Sequence, residues 1–109
     1  MLDLRPEWLE MVRYLIAAHL PEVEVLAYGS RVQGAGHDGS DLDLVLRNPD
    51  GSAVPLSMLA DFREAIAESN LPILVDVLDW ARIPESFRLE IERGGVVVLH
   101  GRLDLKELS

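Results

Sequence analysis

Two aspartates stand at alternate positions of an apolar run, and this pattern constrains the fold more than any other part of the sequence. The run is DLDLVL, residues 41–46, and it directly follows YGSRVQGAGHDGS, residues 28–40. On a β-strand, residues two apart point to the same face and lie about 6.6 Å apart along the strand. Asp41 and Asp43 are therefore expected on one face, with the alternating leucines on the other.

Paired carboxylates in a largely apolar strand suggest a bound cation. Like charges in a low-dielectric setting are costly unless something cationic lies between them. Carboxylate oxygens are the ligands that Mg²⁺ prefers, and a chain without cysteine favours magnesium or manganese over zinc. For an isolated D-x-D, a solvated strand face is the alternative. The sequence predicts a magnesium site at Asp41 and Asp43.

A glycine-serine turn lies before the aspartates, separated from them by a short glycine-rich loop. Gly29 and Ser30 follow the apolar run VEVLAY, residues 23–28. Such a turn at a helix N-terminus exposes backbone N–H groups to phosphates. The turn and the aspartates would then act on the same phosphates, one as a cradle and the other through the metal. Arg31 follows directly; it can pair with a phosphate or with an acid on a partner, or be an exposed arginine that does neither.

A third acid, Asp76, lies within LVDVL, residues 74–78. A lone carboxylate in the middle of a buried strand needs a partner or a role. If this strand lies beside residues 41–46, Asp76 completes a cluster that can hold a metal on a triphosphate and help to deprotonate an attacking hydroxyl. An exposed acid on an edge strand is the alternative. Asp79, three residues on, should face the opposite side as a solvated strand-end acid.

Helical and strand patterns alternate along the whole chain. They predict helices at 6–19, 55–69 and 84–95, a short helix or turn at 30–36, and strands at 23–28, 41–46, 73–80 and 96–100. The tail from residue 101 has only a weak helical pattern. The alternation predicts an α/β sheet covered by helices, and 109 residues fit one domain spanning 1–109.

The charge balance restricts the possible partners. The chain has 19 acidic and 10 basic side chains and a net charge of −9, whereas nucleic-acid binding normally needs a basic surface. A basic protein partner or divalent cations suit it better. The first residues contain early acids, which argues against a signal peptide. No apolar run approaches the roughly 20 residues that span a bilayer. A cytoplasmic protein without nucleic-acid or membrane binding is expected.

Together these segments resemble a known family. GSRVQGAGHDGSDLDL is similar to the signature of the DNA polymerase β-like nucleotidyltransferases, and VDVLDW resembles the strand that carries their third catalytic aspartate. Within that superfamily the chain resembles the minimal nucleotidyltransferase (MNT) proteins, although Ala35 and His37 depart from the usual loop pattern. The resemblance implies the polymerase β-like nucleotidyltransferase fold, a small mixed β-sheet flanked by helices.

The resemblance also implies a function. MNT proteins are the antitoxin half of toxin–antitoxin pairs whose partner is a HEPN-domain ribonuclease, and they form hetero-oligomers with it. The family implies transfer of AMP from ATP, with Mg²⁺, onto a tyrosine of the toxin, which silences it. Carried over to this chain, it implies catalytic metal ligands at Asp41, Asp43 and Asp76, with Asp76 as ligand or base. The implied phosphate contacts are Gly29, Ser30, Arg31 and Ser40.

Two other nucleotide-binding patterns fit poorly, and one function of another class stays open. The glycines of GSRVQGAG do not match G-x-G-x-x-G, and no Gly-Lys-Ser or Gly-Lys-Thr of a P-loop is present. The remaining alternative is a non-catalytic antitoxin that neutralises a basic toxin by direct binding, which the net charge would favour.

Overall fold

A computed structural model describes residues 2–34 and 39–101. Its four-stranded sheet contains β1 (Glu24–Tyr28), β2 (Leu42–Arg47), β3 (Val75–Asp79) and β4 (Val97–His100), in the order β3-β2-β1-β4. Strand β1 is antiparallel to both β2 and β4, whereas β2 and β3 are parallel. The sheet is therefore mixed, and β3 is one of its edges.

Helices cover both faces of the sheet. They are α1 (Pro6–His19), α2 (Ser30–Gln33), α3 (Leu56–Glu68) and α4 (Glu85–Gly94), with a 3₁₀ turn at Trp80–Arg82. Helices α1 and α3 lie on one face, where Ile16 and Phe62 pack in the main core. Helix α4 covers the other face through Ile91 and Phe87. This arrangement confirms the predicted α/β class and the small mixed sheet flanked by helices.

The alternation of side chains along β2 determines where its acid points. Leu42, Leu44 and Leu46 are fully buried in the core beneath α1 and α3. Val45 packs in the smaller cluster under α4. Asp43 lies two residues before Val45 and so shares the α4 face. There it is half-buried rather than enclosed.

The predicted elements are confirmed, with small differences at their ends. The predicted strand 73–80 is shorter in the structure, where β3 spans Val75–Asp79. A 3₁₀ turn begins at Trp80, and the Asp79 side chain caps it by accepting a hydrogen bond from the Ala81 N–H. The predicted helix or turn at 30–36 is helical over Ser30–Gln33. His37 and the tail beyond residue 101 lie outside the described residues. In the described part of the chain, no helix is long and apolar enough to cross a bilayer.

Candidate active site

The glycine-serine turn connects β1 to α2. Gly29 is the N-cap of α2, with φ 83° and ψ −156°, and its carbonyl accepts hydrogen bonds from the N–H groups of Val32 and Gln33 at 3.0 Å. Ser30 is therefore the first residue of the helix and not its N-cap. Within the described part of the chain the Ser30 hydroxyl makes no hydrogen bond, so it is not used in holding the turn.

Three residues line up across adjacent strands at this end of the sheet. Tyr28 of β1 pairs with Asp43 of β2, and Asp43 pairs in turn with Asp76 of β3. Directly paired residues point to the same face, and Asp41 lies just before β2. The predicted neighbourhood of Asp43 and Asp76 is thus confirmed.

The row of acids creates a strongly negative local field. Burial raises the pKa of Asp43 above its ordinary value, and the nearby charges of Asp76 and then Asp41 raise it further. Burial also raises the pKa of the Tyr28 phenol to about 12, with added contributions from Asp43 and Asp76. A raised carboxyl pKa means that ionisation is disfavoured at this position. A cation placed among these groups would relieve that penalty.

The carboxylate of Asp43 leaves no room for a side chain at Gly29. A Cβ atom on Gly29 would collide with Asp43 Oδ2. Its positive φ is also one that L side chains rarely adopt. The turn and the central acid of the row are therefore fitted to each other, and this position requires glycine for two reasons.

The carboxylates do not form a complete metal site. Across residues 2–34 and 39–101, no three His, Cys, Asp or Glu side chains form a group that could hold a metal ion. Asp41 and Asp76 are exposed and Asp43 is half-buried. The expectation that Asp76 lies inside a buried strand is wrong, because β3 is an edge strand. The three acids nevertheless offer hard oxygen donors of the kind that Mg²⁺ prefers.

Arg31 occupies a different environment from the one expected. Its side chain is only 1% exposed, so the picture of an exposed arginine is wrong. The Nε and one terminal nitrogen donate to the Ser40 carbonyl at 3.0 and 2.9 Å, and the other terminal nitrogen donates to the Asp3 carbonyl at 2.8 Å. Arg31 thus binds the backbone directly before Asp41.

The sequence predicted a solvated Asp79 and gave no role to Tyr28. Asp79 is 3% exposed rather than solvated. It accepts hydrogen bonds from the N–H of Val54 at 2.8 Å and from Arg82 Nε at 3.0 Å. The arginine three residues later is a signal that could have suggested this. Tyr28 was marked only by its place before Gly29.

Comparison with known proteins agrees with this geometry. The sequence profile of the family described as poly(A) RNA polymerase, mitochondrial-like, central palm domain matches residues 1–92. The probable protein adenylyltransferase MntA of Haemophilus influenzae is 41% identical over 99 residues, which cover 89% of this chain and 83% of that protein. The chain belongs to the minimal nucleotidyltransferase family. The MNT resemblance noted in the sequence is thereby confirmed.

Two solved structures show the same fold as this MNT protein. One is a crystal structure of a toxin–antitoxin with AMP-PNP, with a TM-score of 0.69 at 20% identity. The other is a mutant of the toxin–antitoxin MntA-HpeT, with a TM-score of 0.66 at 18% identity. Each match covers 92% of this chain and 78% of the other. The nucleotidyltransferase fold is therefore confirmed.

Proposed function

We propose that this MNT antitoxin transfers the AMP part of ATP to a hydroxyl group of its partner toxin, in a reaction that requires Mg²⁺. The observation that carries the proposal is the alignment of Asp43 with Asp76 on neighbouring strands, directly beside the Gly29 turn. A turn that can bind phosphates beside carboxylates that can bind a cation is what a nucleotide and its metal need.

The relatives support the reaction class. MntA of Haemophilus influenzae is named as a probable protein adenylyltransferase, and one structural neighbour was crystallised with AMP-PNP. In the mutant of MntA-HpeT, two aspartates separated by one residue are replaced by glutamates. That spacing is the spacing of Asp41 and Asp43, which supports these two as functional groups.

The donor set suits magnesium. Asp41, Asp43 and Asp76 present only hard carboxylate oxygens, and the raised pKa of Asp43 reflects like charges that a cation would offset. We assign these three residues to the metal. When bound, Mg²⁺ would neutralise the triphosphate and polarise the α-phosphate. The amide groups of the Gly29–Ser30 turn and the Ser30 hydroxyl would bind the phosphates.

The chemistry is a displacement at the α-phosphorus. The acceptor hydroxyl oxygen forms a bond to that phosphorus, and the bond to the β-phosphate oxygen breaks, so pyrophosphate leaves with the electron pair. The acceptor proton is taken by a carboxylate. Asp76 suits this role because it is exposed at the sheet edge, where an acceptor on another protein could reach it.

The family suggests the partner and the setting. We propose that the toxin is a HEPN ribonuclease, that its acceptor is a tyrosine, and that residues 1–109 form one domain acting in the cytoplasm.

Labelled ATP provides a direct test of the reaction type. The purified antitoxin and toxin are incubated with Mg²⁺ and ATP labelled at either the α- or the γ-phosphate. Label from the α-phosphate alone should appear on the toxin, and it should be absent with Asp41→Asn or with excess EDTA. Transfer of γ-label instead would identify a kinase and contradict the proposal.

Direct binding is the second candidate function. The net charge of −9 favours rapid association with a basic surface. Under this alternative the Asp41→Asn protein silences the toxin as well as the wild type does. Assaying ribonuclease activity beside the labelling separates the two functions.

A further inference from the structure

Arg31 links the two halves of the site through the protein interior. It lies one residue after Ser30, on the helix that starts at the glycine-serine turn. Two nitrogens of its guanidinium donate to the same carbonyl, that of Ser40. The direct link spans nine positions of sequence, so the turn and the start of β2 are joined independently of the chain between them.

The carbonyl that Arg31 holds is the one adjoining Asp41. On the other side of Asp41, the Leu42 N–H donates to the Leu74 carbonyl at 2.9 Å. The backbone of Asp41 is therefore fixed at both of its neighbours while its side chain is exposed. An exposed carboxylate has no packing to orient it, so its position depends on these two backbone contacts.

The other end of the guanidinium is fastened to the N-terminal segment. It donates to the Asp3 carbonyl at 2.8 Å, and the Asp3 N–H donates back to the Arg31 carbonyl at 2.6 Å. The guanidinium also lies 5.9 Å from the ring centre of Trp8, within the range of a cation–π contact. These contacts fix the side chain from several directions, as a positioning group requires.

We infer that Arg31 is a positioning residue that holds Asp41 in place for the nucleotide and its cation. The inference rests on the proposed function, because it assigns Asp41 to that site. The planar guanidinium suits the role, since its Nε and one terminal nitrogen donate to one oxygen while the other terminal nitrogen donates elsewhere; a lysine ammonium is a single point with no such fork. An arginine that only contacts phosphate from the surface would not need the burial that the Arg31 side chain has.

The test uses Arg31→Lys, which keeps the charge and much of the length. Amide hydrogen exchange of the apo protein is measured by NMR at Asp41 and Leu42, and compared with the amides of β1 and α3. Exchange should accelerate at residues 41 and 42 and stay unchanged in β1 and α3. In the assay with toxin, kcat/KM should fall roughly 10–100-fold, as is typical when a supporting contact of a ligand is lost.

Arg88→Lys is a matched control. Arg88 also donates from Nε to a backbone carbonyl, that of Trp80 at 2.8 Å, and its guanidinium lies 5.7 Å from the Trp80 ring centre. It performs this role on α4, away from the Asp41 backbone. Its lysine variant should leave both the exchange at residues 41 and 42 and the kinetics unchanged.

Two results would overturn the inference. If exchange at residues 41 and 42 is unchanged while the KM for ATP rises, Arg31 is a direct phosphate ligand. If exchange accelerates equally in β1 and α3, Arg31 is only a general stabilising residue. Arg31→Gln repeats the comparison if the lysine variant does not fold. Exchange is measured without ATP and does not depend on catalysis. If Arg31→Lys accelerates exchange at residues 41 and 42 but the wild-type protein transfers no AMP, the positioning role is supported and the proposed function is rejected.

Discussion

Replacing Gly29 by alanine should destabilise the protein through two separable effects. Gly29 has φ 83° and ψ −156°, a region populated almost only by glycine, where another residue costs about 1–3 kcal/mol. The new methyl group would also collide with the Asp43 carboxylate. Overpacking of this kind costs typically about 1–3 kcal/mol more. The expected total loss of unfolding free energy is roughly 2–6 kcal/mol.

Gly95 separates the two effects because it shares the backbone conformation without the contact. It has φ 90° and ψ 152°, and no atom lies within 4 Å of its would-be Cβ. Gly95→Ala should therefore show the backbone cost alone. Gly29→Ala should be less stable than Gly95→Ala by about 1–3 kcal/mol. In a domain of this size that difference lowers Tm by roughly 4–13 °C.

Urea unfolding followed by circular dichroism gives the free energies, and a double-mutant cycle locates the collision. Combining Gly29→Ala with Asp43→Ala removes the obstructing carboxylate, so the pair should be less destabilised than the sum of the single variants by about 1–3 kcal/mol. Equal losses for Gly29→Ala and Gly95→Ala, or strictly additive energies in the cycle, would refute the close fit between the turn and Asp43.

Two further predictions concern the acids. Asp43→Asn should abolish AMP transfer yet leave the protein at least as stable at neutral pH. The pKa of the Asp43 carboxyl is raised in the fold, so wild-type stability declines as pH rises past the ordinary aspartate range and through the folded pKa. A Tm series against pH should show less of this decline in the variant, and a clear loss of stability at pH 7 would contradict the prediction. Asp79→Ala should lower the unfolding free energy by about 1–3 kcal/mol, because it leaves the buried Val54 N–H without its acceptor, whereas the partly exposed Arg82 can be solvated. Asp79→Asn keeps an oxygen and should lose less in the same urea experiment; equal losses would show that the oxygen is not what matters.

Local sequence patterns predicted the order of helices and strands and the face of the sheet on which Asp43 lies. Alternation along residues 41–46 placed Asp43 opposite the buried leucines, as the structure confirms. The neighbourhood of Asp43 and Asp76 was predicted only conditionally, because strand order depends on long-range pairing that no local pattern contains. Once β2 and β3 pair in parallel, their register brings the two acids together.

The environments of individual polar side chains could not be derived in the same way. Arg31 and Asp79 both looked like surface charges, yet each is buried against backbone groups distant in sequence, Arg31 on the Asp3 carbonyl and Asp79 on the Val54 N–H. Burial of a charge is compensated by partners that only the folded chain assembles. The prediction for Asp76 was wrong in the opposite direction. Its apolar neighbours suggested a buried strand, but β3 is an edge strand and Asp76 is exposed.

The most direct test of AMP transfer is the intact mass of the toxin after incubation with this antitoxin, ATP and Mg²⁺. The toxin should gain mass in steps of one AMP and lose ribonuclease activity. Asp43→Asn should prevent both changes, while Asp79→Asn, if folded, should allow them. A toxin that is silenced without any gain in mass would contradict the catalytic account and leave direct binding as the function.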